Sequence, residues 1–150
     1  MTKDSHRVPG SRSTAEWGPL FLAWLIATIS TLGALFLGEI MGYAPCVLCW
    51  YQRIAMFPLV FVLAAGLFPF DRRVVRYALP LALAGLALAL FHLALIAGWI
   101  PESIKPCQQG VSCSDVQVTW FGFVTIPLLS VLSFLAVTGL LVTAHFKGSK

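Results

Sequence analysis

The chain has 150 residues, of which 59% are hydrophobic and only 11% are charged. A soluble domain of this length is about one-quarter charged, so the composition excludes an ordinary soluble domain and indicates an integral membrane protein. The formal net charge of +4 does not indicate nucleic-acid binding, because the positive residues are divided among the flanks of the apolar segments.

Four apolar segments are long enough to cross a bilayer. Each has at least the roughly 18–20 residues needed to cross about 30 Å of hydrocarbon as a helix. Backbone groups in lipid must be hydrogen-bonded within the protein, so we expect helices rather than strands. The sequence predicts an all-α membrane protein, a four-transmembrane-helix bundle in residues 18–146. The predicted helices cover about 18–38, 47–70, 74–98 and 120–146.

The two ends of the chain differ from the apolar segments. Residues 1–17 form a leader that begins with a stretch rich in Ser, Gly, Pro and charge, which is typical of disorder. The first apolar segment exceeds the roughly 7–15 residues of a signal-peptide core, so we expect it to remain as the first transmembrane helix. Residues 147–150 form a short tail.

The third apolar segment contains small residues at helical spacing. Ala78 and Ala82, and then Gly85 and Ala89, are four residues apart. Such spacing allows two helices to pack closely in a membrane. We therefore expect these residues to face another helix.

The distribution of basic residues predicts the orientation. Lys and Arg favour the cytoplasmic side of short loops, and four crossings place the leader, the loop between the second and third helices, and the tail on one side. These regions contain eight of the ten basic residues: Lys3, Arg7, Arg12, Arg72, Arg73, Arg76, Lys147 and Lys150. Both termini are therefore predicted to be cytoplasmic, with residues 39–46 and 99–119 on the extracytoplasmic side.

The first cysteine pair, Cys46 and Cys49, forms a Cys-x-x-Cys at the start of the second helix. The helix dipole and the free N–H groups of a first turn favour a thiolate, and the extracytoplasmic side permits disulfides. The pattern favours redox chemistry. A zinc half-site and a purely structural disulfide remain the alternatives.

The second pair, Cys107 and Cys113, lies in the polar segment between the third and fourth helices. Closing so short a ring costs little chain entropy, so a disulfide between them is expected. Alone, such a pair is often a structural cross-link. On the same side as a Cys-x-x-Cys, it indicates a partner for thiol–disulfide exchange.

Two polar residues lie within the predicted membrane spans. Arg53 follows Cys49 by four residues, so both lie on one face of the helix. Its guanidinium could stabilise a nearby thiolate or the oxygen of a bound quinone. Alternatively, the side chain could extend to the outer membrane–water interface. His92 lies at a similar predicted depth and could transfer protons or hydrogen-bond to another helix.

These residues resemble the DsbB/BdbC family of bacterial disulfide-bond formation membrane proteins. The most specific part is the segment from Pro45 to Arg53, which matches the family's Pro-Cys-x-x-Cys-x-x-x-Arg. The stretch from Cys107 to Cys113, with Trp120 to Phe123 and Ile126-Pro127 after it, looks most like the BdbC-type branch. The second pair is more closely spaced than in DsbB proteins of the enterobacterial type.

The resemblance implies a thiol:quinone oxidoreductase in the bacterial inner membrane. Such an enzyme reoxidises a thioredoxin-fold thiol oxidase (DsbA/BdbD-like) and passes the electrons to ubiquinone or menaquinone. By motif position, Cys107 would be attacked by the partner, Cys113 would relay electrons and Cys46 would exchange with the loop pair. Cys49 would react with the quinone, Arg53 would polarise the quinone oxygen, and His92 falls near a histidine of the quinone site. No metal site is expected, because an oxidising compartment favours disulfides over thiolate–zinc binding.

Two other functions share part of this sequence pattern. A vitamin K epoxide reductase-like enzyme also has four core helices, two cysteine pairs and a quinone, but its loop pair precedes its Cys-x-x-Cys, the reverse of the order in this chain. A small transporter or assembly subunit with two structural disulfides would contain the same cysteines without quinone-linked activity.

Overall fold

The computed structural model describes residues 10–101, 112–113, 119–120 and 124–147. Helix α1 (Gly10–Leu35) continues into a π-helical segment (Phe36–Ile40), and α2 (Val47–Leu67) and α3 (Val74–Ile96) follow. Strands β1 (Thr119–Trp120) and β2 (Val124–Thr125) form an antiparallel pair. Helix α4 (Ile126–Lys147) comes directly after β2.

The four helices form the predicted bundle. Helix α1 packs against α2 and α4, and α3 packs against α2 and α4, so the helices form a closed ring. All four are long and apolar enough to cross a membrane. Short connections between successive helices make neighbours antiparallel. The connection that leads into α2 and the one that leaves α3 therefore meet at the same end of the bundle.

The outer surface of the bundle is apolar. Phe61 is 75% exposed, and Ile29 and Ile54 are each 61% exposed. A water-soluble bundle would place polar residues at these positions, whereas hydrocarbon chains can cover them at no cost. The surface therefore agrees with a multi-pass membrane protein.

Two helix boundaries differ from those expected from the sequence. Helix α1 begins at Gly10 rather than near residue 18, so part of the expected leader is helical. Helix α4 begins at Ile126 rather than at Trp120, which lies in β1. Thr125 explains the later start of α4, because its Oγ1 accepts a hydrogen bond from the Leu128 N–H at 3.4 Å and caps the helix.

The small residues of α3 face the interior, as the spacing predicted. Ala78, Ala82, Gly85 and Ala89 are all buried. A Cβ at Gly85 would overlap the ring of Phe134 in α4, and Phe134 is itself 1% exposed. The contact between α3 and α4 thus requires a residue without a side chain at position 85.

We expect Gly85→Ala to destabilise the bundle. The added methyl group would displace the Phe134 ring, and overpacking of this kind typically costs about 1–3 kcal/mol. The apparent melting temperature in detergent micelles should fall. Gly139→Ala in α4 is the matched control, because a Cβ there meets no atom within 4 Å and helix propensity favours Ala. Equal melting temperatures for the two variants would contradict this account of the α3–α4 contact.

Candidate active site

Cys46 caps the N-terminus of α2. Its backbone is extended, with φ −71° and ψ 170°, and its sulfur accepts a hydrogen bond from the Cys49 N–H at 3.4 Å. Its carbonyl oxygen accepts from the Trp50 N–H at 3.0 Å. The sulfur therefore lies where the free N–H groups and the positive end of the helix dipole are concentrated.

Cys46 and Cys49 are free thiols with their sulfur atoms 3.0 Å apart. A hydrogen bond from the Cys49 thiol is the main cause that lowers the pKa of Cys46 from its usual 9.0 to about 4, and His92 contributes further. Burial of Cys46 opposes the shift but does not cancel it. Cys46 is therefore a thiolate at neutral pH when the pair is reduced, and only a small movement is needed to form a disulfide with Cys49.

His92 of α3 connects this pair to the loop that precedes α4. Its Nε2 lies 3.9 Å from the Cys46 sulfur and 3.1 Å from the Cys113 carbonyl oxygen. Cys46 and Cys113 also belong to one buried apolar cluster with Leu48 and Leu95. One residue of each cysteine pair is thus held beside the same imidazole nitrogen.

Cys113 is disulfide-bonded. Neither Cys46 nor Cys49 is its partner, because both are free thiols. Cys107, the predicted partner, lies outside the described residues.

Arg53 lies on the face of α2 that lines the interior of the bundle, and it contacts α1. It is half-buried, and its Nη2 donates a hydrogen bond to the Ala34 carbonyl oxygen at 2.8 Å. A Cβ at Gly38 would be 2.9 Å from the same nitrogen, so the guanidinium lies close against the π-helical segment. The Trp50 ring lies 5.4 Å from its central carbon, within the range of a cation–π interaction.

These side chains surround a cavity of about 530 Å³ between the helices. Its lining includes Cys46, Cys49, Arg53, His92 and Cys113, so it brings together five of the six predicted site residues. Most other lining residues are apolar, among them Met56, Phe57, Leu129 and Phe134. An apolar cavity of this size with a few polar groups is typical of a site for a small organic molecule.

The same residues include three potential metal ligands. The sulfurs of Cys46 and Cys49 and a ring nitrogen of His92 lie within 4.8 Å of one another. A structural zinc site has four ligands, and the disulfide-bonded sulfur of Cys113 is not a thiolate ligand. His92 Nε2 also faces a carbonyl oxygen, so it carries a proton rather than a free lone pair. Within the described part of the chain, this geometry fits a thiol pair better than zinc.

Sequence reasoning did not assign two polar residues of the site. Gln52 is buried and contacts His92 Nδ1 at 3.1 Å. The hydroxyl of Ser130 in α4 donates to Gln52 Oε1 at 2.6 Å. Gln52 follows Cys49 by three residues, and that helical spacing was the available signal.

The lowered pKa of Cys46 predicts an unusual titration. In a Cys107→Ser/Cys113→Ser background, where only the first pair titrates, the ultraviolet absorbance of one thiolate should persist from neutral pH down to about pH 5. It should disappear as the pH falls through the pKa of about 4. A single titration near the usual 9.0 would contradict the geometry.

A pair of variants tests the cause of this shift. Cys49→Ala removes the donor and should raise the pKa of Cys46 towards 9.0, because the hydrogen bond from Cys49 is its largest cause. Cys49→Ser keeps a hydroxyl donor and should raise it less.

Comparison with known proteins places this site in a family. The family described as "Disulfide bond formation protein DsbB" matches residues 17–144. A "Probable disulfide formation protein" of Metapseudomonas resinovorans is 52% identical over 131 residues, which cover 87% of this chain and 91% of the relative. "Disulfide bond formation protein C" of Bacillus subtilis (strain 168) is 42% identical over 120 residues, covering 79% of this chain and 86% of the relative.

A third relative agrees with these two. "Probable disulfide formation protein C 2" of Bacillus cereus is 45% identical over 116 residues, covering 77% of this chain and 83% of the relative. No solved structure matches the chain at comparable significance. The family match extends into all four apolar helices and includes both cysteine pairs. The chain belongs to the DsbB family of disulfide-bond formation proteins and is similar to its disulfide formation protein C (BdbC) members.

Proposed function

We propose that this protein is a membrane thiol:quinone oxidoreductase. It would reoxidise an extracytoplasmic thioredoxin-fold thiol oxidase and pass the electrons to quinone, which supports disulfide formation in exported proteins. The observation that carries the proposal is the meeting of Cys46, Cys49 and Cys113 at one apolar cavity that also contains Arg53 and His92. Family membership supports the disulfide chemistry independently.

The proposed electron route has three exchanges. The reduced partner attacks the loop disulfide at Cys107, which leaves the partner oxidised and the loop pair reduced. A Cys113 thiolate then attacks Cys46 of the oxidised first pair: the Cys46–Cys49 bond breaks, and Cys49 leaves as a thiolate. Cys107 resolves the mixed disulfide and releases Cys46. The loop is again a disulfide, and the first pair holds two electrons.

The geometry of Cys46 supports its role in this exchange. It shares a buried cluster with Cys113, so attack between these two residues requires little movement of the loop. Its lowered pKa makes it a good leaving group when the mixed disulfide is resolved.

The cavity has the size and polarity that a quinone ring requires. Among the described lining residues, Arg53 is the one Lys or Arg side chain and could donate to a ring oxygen, while Cys49 lies one helical turn away on the same face. His92, buried on α3 and also part of the lining, could exchange a proton in the cavity. A bound ubiquinone or menaquinone would supply an acceptor for the two electrons that the pair gives up when its disulfide re-forms. Cys49 would release one proton in that step, and the second proton of the quinol would come from outside the pair, because Cys46 is already a thiolate.

The proposed location is the bacterial inner membrane, with the cysteine segments extracytoplasmic. The charge bias of the sequence supports this orientation. Contact of the Cys46 and Cys113 segments through His92 supports their location on one side of the membrane. Residues 18–146 would then form the redox domain between the leader 1–17 and the tail 147–150.

Turnover with a sided membrane preparation tests the function and the orientation together. Right-side-out vesicles containing quinone should oxidise an added reduced thioredoxin-fold partner, whereas inside-out vesicles should do so only after detergent is added. Cys49→Ser should abolish turnover in both preparations, because the first pair can no longer form a disulfide. A non-enzymatic role predicts that this variant loses stability but no quinone-linked activity. Normal turnover by Cys49→Ser would refute the mechanism.

Replacing Arg53 should chiefly affect quinone binding. A hydrogen bond from a charged group contributes about 1.5–3 kcal/mol, so Arg53→Ala should raise the apparent KM for quinone by roughly tenfold or more. Arg53→Lys retains the charge but lacks the planar guanidinium, so its KM for quinone should lie between those of the wild type and Arg53→Ala. Arg76→Ala, which removes an exposed cation outside the cavity lining, is the control. A KM for Arg53→Ala equal to that of the control would indicate that Arg53 only extends to the interface.

A further inference from the structure

A chain of buried polar groups extends from α4 to the cysteines. The Ser130 hydroxyl donates to Gln52 Oε1 at 2.6 Å, and Gln52 Nε2 lies 3.1 Å from His92 Nδ1. The other ring nitrogen, Nε2, lies 3.1 Å from the Cys113 carbonyl oxygen. Gln52 is 7% exposed and His92 is 2% exposed, so water contributes little to these groups.

The chemistry of these groups fixes the position of the ring proton. An amide nitrogen only donates and a carbonyl oxygen only accepts. His92 Nδ1 must therefore accept from Gln52, and Nε2 must carry the proton that is donated to the Cys113 carbonyl oxygen. The same N–H lies near the Cys46 sulfur, at a nitrogen–sulfur distance of 3.9 Å.

The reverse orientation of the Gln52 amide is disfavoured. It would turn Oε1 towards Nδ1 and require a proton there. A neutral ring would then present a lone pair to the Cys113 carbonyl oxygen, which is repulsive. In the described part of the cavity lining, the other titratable groups are Cys46, Cys49, Tyr43 and Arg53. The anion beside the ring is the Cys46 thiolate, but a cationic ring would place its Nδ1–H against the Gln52 amide nitrogen, which is itself a donor.

We propose that Gln52, oriented by Ser130, is a positioning residue for thiol–disulfide exchange: it holds His92 in the neutral tautomer whose Nε2–H points to Cys46 and Cys113. This inference rests on the proposed function. It adds a role that neither the cysteine motif nor the quinone cavity assigns. The Nε2–H keeps the Cys113 backbone beside Cys46, and it stabilises the Cys46 thiolate that is released when Cys107 resolves the mixed disulfide.

The tautomer can be measured without any activity. Nitrogen-15 NMR of histidine-labelled protein in micelles, with His92→Asn used for assignment, should show His92 as the Nε2–H tautomer at neutral pH. Gln52→Met, which has a similar shape but no donor, should give a mixture of the two tautomers. An Nδ1–H tautomer or a cationic ring in the wild-type protein would overturn the proposal.

Exchange between the cysteine pairs supplies the second measurement. Oxidised, quinone-free protein receives one equivalent of a small dithiol, and alkylation followed by mass spectrometry shows how fast electrons move from the loop pair to Cys46 and Cys49. Removing the hydrogen-bond partner that orients a metal-ligating histidine typically costs about 10- to 100-fold, and by the same orienting effect Gln52→Met should slow this step by roughly tenfold. A shift in the tautomer without slower exchange, or slower exchange without a shift, would overturn the proposal.

Three further variants make the test specific. Gln52→Glu requires a proton on Nδ1, so the positively charged ring should keep Cys46 a thiolate to lower pH than in the wild type; a titration unchanged from wild type would overturn the proposal. Ser130→Ala should change the His92 tautomer and the exchange rate in the same direction as Gln52→Met, but by less. It replaces Gln52→Met in both measurements if that variant does not fold. Thr138→Val is the control, because its buried hydroxyl has no hydrogen-bond partner among the described residues.

Absence of quinone turnover in the wild type would refute the proposed function, whereas the tautomer and the quinone-free exchange would still decide the role of Gln52.

Discussion

A single imidazole nitrogen connects the two cysteine-bearing segments of this protein. His92 Nε2 donates to the backbone of Cys113 and lies beside the sulfur of Cys46, so Cys113 is held near the start of α2. This contact is made between α3 and segments that are distant from it in sequence. It brings residues of both cysteine pairs to one place in the bundle.

The low polarity of the interior explains why the site is organised as a network. A buried polar group without a partner costs about 1–3 kcal/mol, and the cost is greatest where water is excluded. Gln52 therefore satisfies Ser130 and His92 together, and Arg53 donates to a carbonyl oxygen of α1. Each of these residues is held in one orientation by a different helix. The bundle thereby fixes the direction of the groups around the cysteines.

Helix packing determines the space available beside that network. Gly85 allows the Phe134 ring to lie against α3, and the same ring lines the cavity. Gly38 leaves room for the Arg53 guanidinium. A side chain at either position would displace a group of the cavity wall. Small residues thus control the shape of the cavity as well as the distance between helices.

The number of helices and the relative positions of three site residues follow from the sequence. Apolar segments of membrane length determine four helices because the backbone must be hydrogen-bonded internally, and the spacing of Cys46, Cys49 and Arg53 places them on adjoining turns of one helix. The start of α4 was less predictable, because Thr125 caps the helix inside an otherwise apolar stretch. The tertiary structure alone decided that Cys113 meets Cys46 and that Gln52 and Ser130 belong to the site. Those contacts join residues of different helices and loops, and sequence periodicity describes only one helix at a time.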